Sequence, residues 1–253
     1  MPVLNSLYFT DSKGDGPPLV LIHGAGGAHL HWPPQLRRLA SARVIALDLP
    51  GHGKSGGTPC AAIGELAQAL VEFLDALAIE RAVFAGSSMG GGIAQLLALD
   101  YPDRVMGLAL IGTSARLRVS PELLGLIGRD FPAAVSRIVE WCYSANAPDS
   151  LTRLARERML EIKPGVLLAD FNACNAFDVR ARVSQISSPS LILVGSDDRM
   201  TPEKYSRALA EQIAGAQLQI IPGAGHMVML ERPEEVTAAI GTLITQISQK
   251  DQR

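Results

Sequence analysis

The 253-residue chain holds only three cysteines, Cys60, Cys142 and Cys174, too few and too scattered for a disulfide framework or a zinc site. An odd count suits a reducing compartment, where a buried thiol serves as a small apolar side chain. Dominance of one charge sign is also missing. Lys and Arg total 23 against 25 Asp and Glu, a net charge of −2, and no basic block offers the footprint that nucleic acid requires. Long apolar runs are absent too. Even the uncharged stretch 82–99 contains Ser87, Ser88, Gln95 and four glycines, which excludes a membrane span. The N-terminal residues lack the basic and apolar regions of a signal peptide. These absences predict a soluble cytoplasmic protein, monomer or homodimer, that binds neither nucleic acid nor membrane.

What is present is a large apolar fraction, 47% of residues, enough for a substantial core. Short apolar runs alternate with segments at helical spacing, the signature of a mostly parallel sheet flanked by helices. Residues 19–22, 43–47, 81–85, 105–111, 190–194 and 218–221 read as buried strands, each ending at glycine, proline or a polar turn. Ile63, Leu66, Leu70, Phe73, Leu74 and Leu77 recur at helix period, and Pro233 opens a last helix with Val236, Ala239, Ile240, Leu243, Ile244 and Ile247 on its buried stripe. The alternation breaks over 114–187, where only helical segments appear, punctuated by Pro121, Pro132, Pro148 and Pro164. The division expected is a core of 1–113 and 188–253 with a helical cap, or lid, of 114–187 over the carboxyl edge of the sheet, where open α/β sheets bind ligands.

The strongest local signal is Gly86-Ser87-Ser88-Met89-Gly90, set directly between a strand and a helix. This is G-x-S-x-G in the strand–turn–helix context that gives the motif its meaning. The elbow is so tight that residues two positions either side of the nucleophile must be nearly side-chain-free. Gly86 and Gly90 satisfy that for Ser88, whereas Ala85 and Met89 fail it for Ser87. A serine hydroxyl needs a base. Of His23, His29, His31, His52 and His226, only His226 follows the last strand, in Gly225-His226, at the same sheet edge. Asp198, at the end of strand 190–194 with Thr201-Pro202 opening the next helix, is preferred as the acid over Asp197, which caps the turn or faces solvent. The end of strand 105–111 reads Gly112-Thr113-Ser114 and offers no carboxylate. Oxyanion donors are the Met89 amide and either the Ala25 or the Gly26 amide of the glycine-rich loop after the first of these strands. His23 is read as a loop-holding hydrogen bonder rather than a base.

His23-Gly24-Ala25-Gly26-Gly27, Asp48-Leu49-Pro50-Gly51-His52-Gly53-Lys54-Ser55, Gly86–Gly90, Asp198 with Thr201-Pro202, and Gly225-His226 together resemble the motif set of the α/β-hydrolase superfamily, in its order and over nearly the whole chain. The resemblance implies the α/β class with an eight-stranded, mostly parallel sheet and a helical cap after the sixth strand. It also implies that Asp48, His52 and Ser55 are scaffold. Dehalogenases and epoxide hydrolases of that superfamily use aspartate where Ser88 stands, and the menaquinone-pathway synthases carry an arginine where this chain has Gly91-Gly92-Ile93. Haloperoxidases, lactonases, carbon–carbon bond hydrolases and carboxylesterases all keep the Ser–Asp–His set. The expectation is a carboxylesterase acting on small to medium apolar esters, needing no metal or organic cofactor. Phe131, Trp141, Tyr143, Phe171 and Phe177 of the insertion hint at an apolar pocket. A carbon–carbon bond hydrolase or lactonase is the alternative, with Arg116, Arg118, Arg137 and Arg153 available to hold a carboxylate. A non-catalytic receptor on the same fold is the third reading.

Overall fold

The computed structural model describes residues 3–251. Eight strands form one sheet: β1 (Val3–Leu4), β2 (Leu7–Asp11), β3 (Pro18–Ile22), β4 (Arg43–Leu47), β5 (Ala82–Ser87), β6 (Val105–Ile111), β7 (Ser190–Gly195) and β8 (Gln217–Ile221), in the order β1-β2-β4-β3-β5-β6-β7-β8. β1 pairs antiparallel with β2 and β2 antiparallel with β4, and the pairings from β4 through β8 are parallel. The six strands read from periodicity are all present. β1 and β2 complete the eight that the resemblance implies.

Central strands are buried on both faces, so they read as continuous apolar runs rather than alternating ones. Leu19, Leu21, Val83, Ala85, Ala109 and Ile111 join one core layer, packed under α1 (Pro34–Arg37) and α10 (Pro233–Asp251). Val20, Ile22, Phe84, Leu108 and Leu110 join the other, under α2 (Ile63–Ala76) and α3 (Met89–Asp100). Pairings such as Ile22↔Gly86, Ser87↔Ile111 and Gly195↔Ile221 end the strands in line. Loops leaving their carboxyl ends therefore meet at one edge.

Between β6 and β7 lie four helices, α4 (Pro121–Arg129), α5 (Phe131–Cys142), α6 (Asp149–Leu160) and α7 (Pro164–Ala176). Each expected proline stands at or beside a helix start, where its missing N–H costs nothing. This insertion has its own core, including Leu123, Val135, Ile138, Leu167 and Phe171, and Ala25, Met200 and Met227 pack against it. Those three residues belong to the loops after β3, β7 and β8, so the insertion sits on the carboxyl edge. α8 (Glu203–Gln212) and α9 (Val228–Glu231) complete the chain. No described helix is long and apolar enough to cross a membrane.

Candidate active site

β5 ends at Ser87 and α3 begins at Met89, so a single residue turns strand into helix. Ser88 makes that turn at φ 53°, ψ −114°, a region that costs any residue carrying a Cβ. The surroundings hold it there: its N–H donates to Ile111 O at 2.8 Å, and Thr113 Oγ1 donates to its carbonyl at 2.8 Å. A Cβ on Gly86 would collide with Gly90 O, and one on Gly90 with Ile22 O. Both glycines are required by close backbone approach. Ser87 remains inside the strand and buried, while Ser88 is half-exposed.

Asp198 and His226, far apart along the chain, meet directly, with His226 Nδ1–H donating to Asp198 Oδ2 at 2.9 Å. Asp198 also accepts the Met200 and Thr201 N–H groups on Oδ1, at 2.9 and 2.8 Å, and the Thr201 hydroxyl on Oδ2 at 2.8 Å. The carboxylate is thus fixed in orientation, and His226 Nε2 faces away from it. Asp197 is exposed and accepts from Ser196 Oγ, as its expected turn role requires. Gly112 explains the empty position after β6. Its φ is +51°, and a Cβ there would lie 3.2 Å from His226 Nδ1 and 3.3 Å from Asp198 Oδ2. Ser88 is bonded to Ile111 and Thr113 on either side of that glycine, so serine and imidazole flank the same short segment. Among the described residues neither Ser88 Oγ nor His226 Nε2 has a hydrogen-bond partner.

The loop after β3 is held from both sides. His23 Nδ1–H donates to Gly24 O at 2.8 Å, and its Nε2 accepts the Leu49 N–H at 3.0 Å. Burial, aided by the neighbouring His52, holds its pKa well below the usual 6.5, so the ring is neutral and structural, as expected. Asp48 anchors the adjoining turn through the His29 ring and backbone and the Lys54 N–H, at 2.6 to 2.8 Å. Ser55 links that turn to Tyr8. The choice left open between Ala25 and Gly26 meets one structural difference here. The Gly26 N–H, one of the two candidate oxyanion donors, is already donated to Asp170 Oδ2 at 2.7 Å. The Ala25 N–H pairs with no acceptor among the described residues, and the same holds for Met89 at the helix start.

A cleft of about 340 Å³ opens over Ser88, bordered by Phe171, Met200, Thr201, Tyr205 and three arginines, Arg116, Arg118 and Arg180. Of the five aromatics expected to shape a pocket, only Phe171 lines this cleft; Phe177 and Tyr143 are core residues, and Trp141 stacks under Arg137. Arg153 is exposed and does not reach the cleft. Residues that pattern reading did not single out include Asp170, Glu231, Arg180 and the side-chain role of Thr201. Asp170 is the one carboxylate in the apolar stretch 166–174 of α7, buried to 1% exposure, and that oddity was a readable signal. Glu231 accepts the Gly225 N–H at 2.9 Å and the Ser144 N–H at 3.2 Å, tying the His226 loop to the insertion.

A family model described as the alpha/beta hydrolase family matches residues 19–239. A Variovorax paradoxus protein with the provisional name carbamate hydrolase RutD is 31% identical over 239 residues, 87% of this chain and 88% of that one. A thermophilic esterase from Thermogutta terrifontis, solved with malate bound, superposes with a TM-score of 0.86 at 30% identity, over 95% of this chain and 93% of that one. The enol-lactonase of Burkholderia xenovorans LB400 gives a TM-score of 0.88 at 26% identity, over 94% and 96%. With the family model reaching from β3 to β8 and covering the elbow and the loops that carry Asp198 and His226, the chain belongs to the alpha/beta hydrolase family.

Proposed function

We propose that the protein is a serine carboxylesterase, with Ser88 as nucleophile, His226 as general base and Asp198 as its orienting acid. The observation that carries this reading is the placement of a strained, half-exposed Ser88 across Gly112 from the buried Asp198–His226 pair. Ser88 Oγ attacks the ester carbonyl carbon while its proton passes to His226 Nε2, and Asp198 steadies the imidazolium. The oxyanion that forms accepts the free N–H groups of Met89 and Ala25. Expulsion of the alcohol, protonated by His226, leaves an acyl-serine. Water, deprotonated by the same nitrogen, then releases the acid and restores Ser88. Residues 114–187 act as a cap on the core of 1–113 and 188–253.

A panel of p-nitrophenyl esters of increasing acyl length, run beside fluorophosphonate labelling read by mass, tests the proposal. Turnover that disappears in Ser88→Ala, with label confined to Ser88, supports it. Label elsewhere, or unchanged turnover in the variant, refutes it.

One observation favours a second reading, hydrolysis of a carbon–carbon bond or lactone in a carboxylate-bearing substrate. Three arginines border the cleft. Arg116 and Arg180 pair with Asp178, while Arg118 has no carboxylate partner among the described residues, and charge-assisted pairing with its guanidinium suits a carboxylate. Faster cleavage of a vinylogous diketone acid than of any neutral aryl ester selects this reading over the first.

A further inference from the structure

Asp170 belongs to the insertion yet makes its polar contacts to the core. Its Oδ2 accepts the Gly26 N–H at 2.7 Å and pairs with His52 Nε2 at 2.8 Å. His52 Nδ1 lies 3.0 Å from Pro50 O. A carbonyl and a carboxylate, both acceptors, thus face the two ring nitrogens, and only the doubly protonated imidazolium can donate to both. Burial opposes that charge, but the hydrogen bond and attraction of Asp170 raise the pKa of His52 above its usual value. The groups around the ring are Asp170 from α7, Asp48 from the turn after β4, His31, and His23 with its ring centroid 5.0 Å away. His23 is neutral, so the carboxylate of Asp170 and the charge of His52 cancel locally.

This arrangement stands one residue from the free Ala25 N–H. Gly24, just before it, runs so near the nucleophile that a Cβ there would lie 3.2 Å from Ser88 Cβ. Gly26, just after it, adopts φ +61° under Leu167 and Ile162 of the insertion, and its N–H is the group that Asp170 holds. We propose that Asp170 is a positioning residue for the oxyanion site, pinning Gly26 so that the Ala25 N–H stays aimed beside Ser88, while His52 neutralises a carboxylate that would repel the developing oxyanion. The insertion thereby completes the reacting centre in addition to covering it. The inference rests on Met89 and Ala25 being the oxyanion donors.

The test compares wild type, Asp170→Ala and Asp170→Asn in kcat and KM on p-nitrophenyl butyrate and in inhibition by a trifluoromethyl ketone, to whose carbonyl carbon serine Oγ adds to give a hemiketal with its ionised oxygen in the oxyanion site. Loss of the clamp is expected to lower kcat about 10- to 100-fold, as misplacement of an oxyanion donor does. Affinity for the ketone falls by the same factor, with KM within about threefold. Asp170→Asn keeps an acceptor for Gly26 and recovers most of the loss. It also lacks the alkaline decline in kcat that wild type shows as His52 loses its proton and leaves the carboxylate unbalanced. A loss confined to KM, or ketone affinity that does not follow kcat, overturns the proposal. If Asp170→Ala does not fold, the alkaline profile of Asp170→Asn decides, and a profile identical to wild type overturns it. Failure of wild type itself to turn over esters or take label counts against the esterase reading instead.

Discussion

Ser88 carries a stability cost that substitution can expose. Its backbone lies at φ 53°, ψ −114°, where a residue with a Cβ costs about 1–3 kcal/mol and glycine sits without steric penalty. Ser88→Gly should release that strain, offset by about 0.5–1 kcal/mol of extra chain entropy in the unfolded state. The net is a gain of roughly 0–2.5 kcal/mol, centred near 1, or about 2–4 °C in Tm at that centre for a chain of this size. Ser88→Ala is the control. It removes the same hydroxyl, which has no hydrogen-bond partner among the described residues, but retains the Cβ and the strain, so its Tm should stay within about 2 °C of wild type. Both variants lose fluorophosphonate labelling. Thermal melts of the three proteins by circular dichroism, in one buffer, measure the difference. A glycine variant no more stable than the alanine variant refutes the argument that the elbow is strained.

Gly112→Ala forces a Cβ against His226 and Asp198 at positive φ and should cost about 1–2 kcal/mol of stability, with kcat falling several-fold; a melt and ester kinetics together check it. Thr201→Val removes a hydroxyl bond to Asp198, a charged acceptor, and should destabilise by about 1.5–3 kcal/mol in urea unfolding, while leaving the two backbone bonds to Asp198 in place. The raised pKa of His52 means that its pairing with Asp170 stabilises fully below the unfolded-state pKa near 6.5 and is lost as pH climbs through the higher folded value. The Tm gap between wild type and Asp170→Asn should therefore shrink with rising pH above that point, and a constant gap contradicts the assignment.

Much of this was legible in the chain because the informative segments are local. The elbow is readable from Gly86, Ser88 and Gly90, since close backbone approach forbids side chains there. The parallel strands are readable because burial on both faces leaves runs such as 105–111 uniformly apolar. β1 and β2 were harder to read. They are short strands at one end of the sheet, joined through Asn5-Ser6, both at positive φ, as a primed hairpin turn requires, but without the Asn-Gly pair that usually advertises one. The choice between Ala25 and Gly26 could not be made locally, because the group that occupies Gly26 lies on α7, 144 positions away. The aromatics of the insertion misled for a related reason: residue type does not reveal whether a ring faces a cleft or a helix core, and only Phe171 borders the space over Ser88.

Glu231 and Asp170 between them make the four inserted helices a poor candidate for simple exchange. Grafting a different module onto this core to change specificity would strip an acceptor from Gly26 and leave Gly26 N–H buried and unmet. It would also remove Cys142 O, which accepts the Met227 N–H at 3.0 Å, and the Ser144 N–H that engages Glu231. A workable donor module must therefore bring a carboxylate where Asp170 stands and backbone groups matching Cys142 and Ser144. Specificity in this scaffold is better altered at side chains that border the cleft without bridging to the core, such as Arg118 and Phe171.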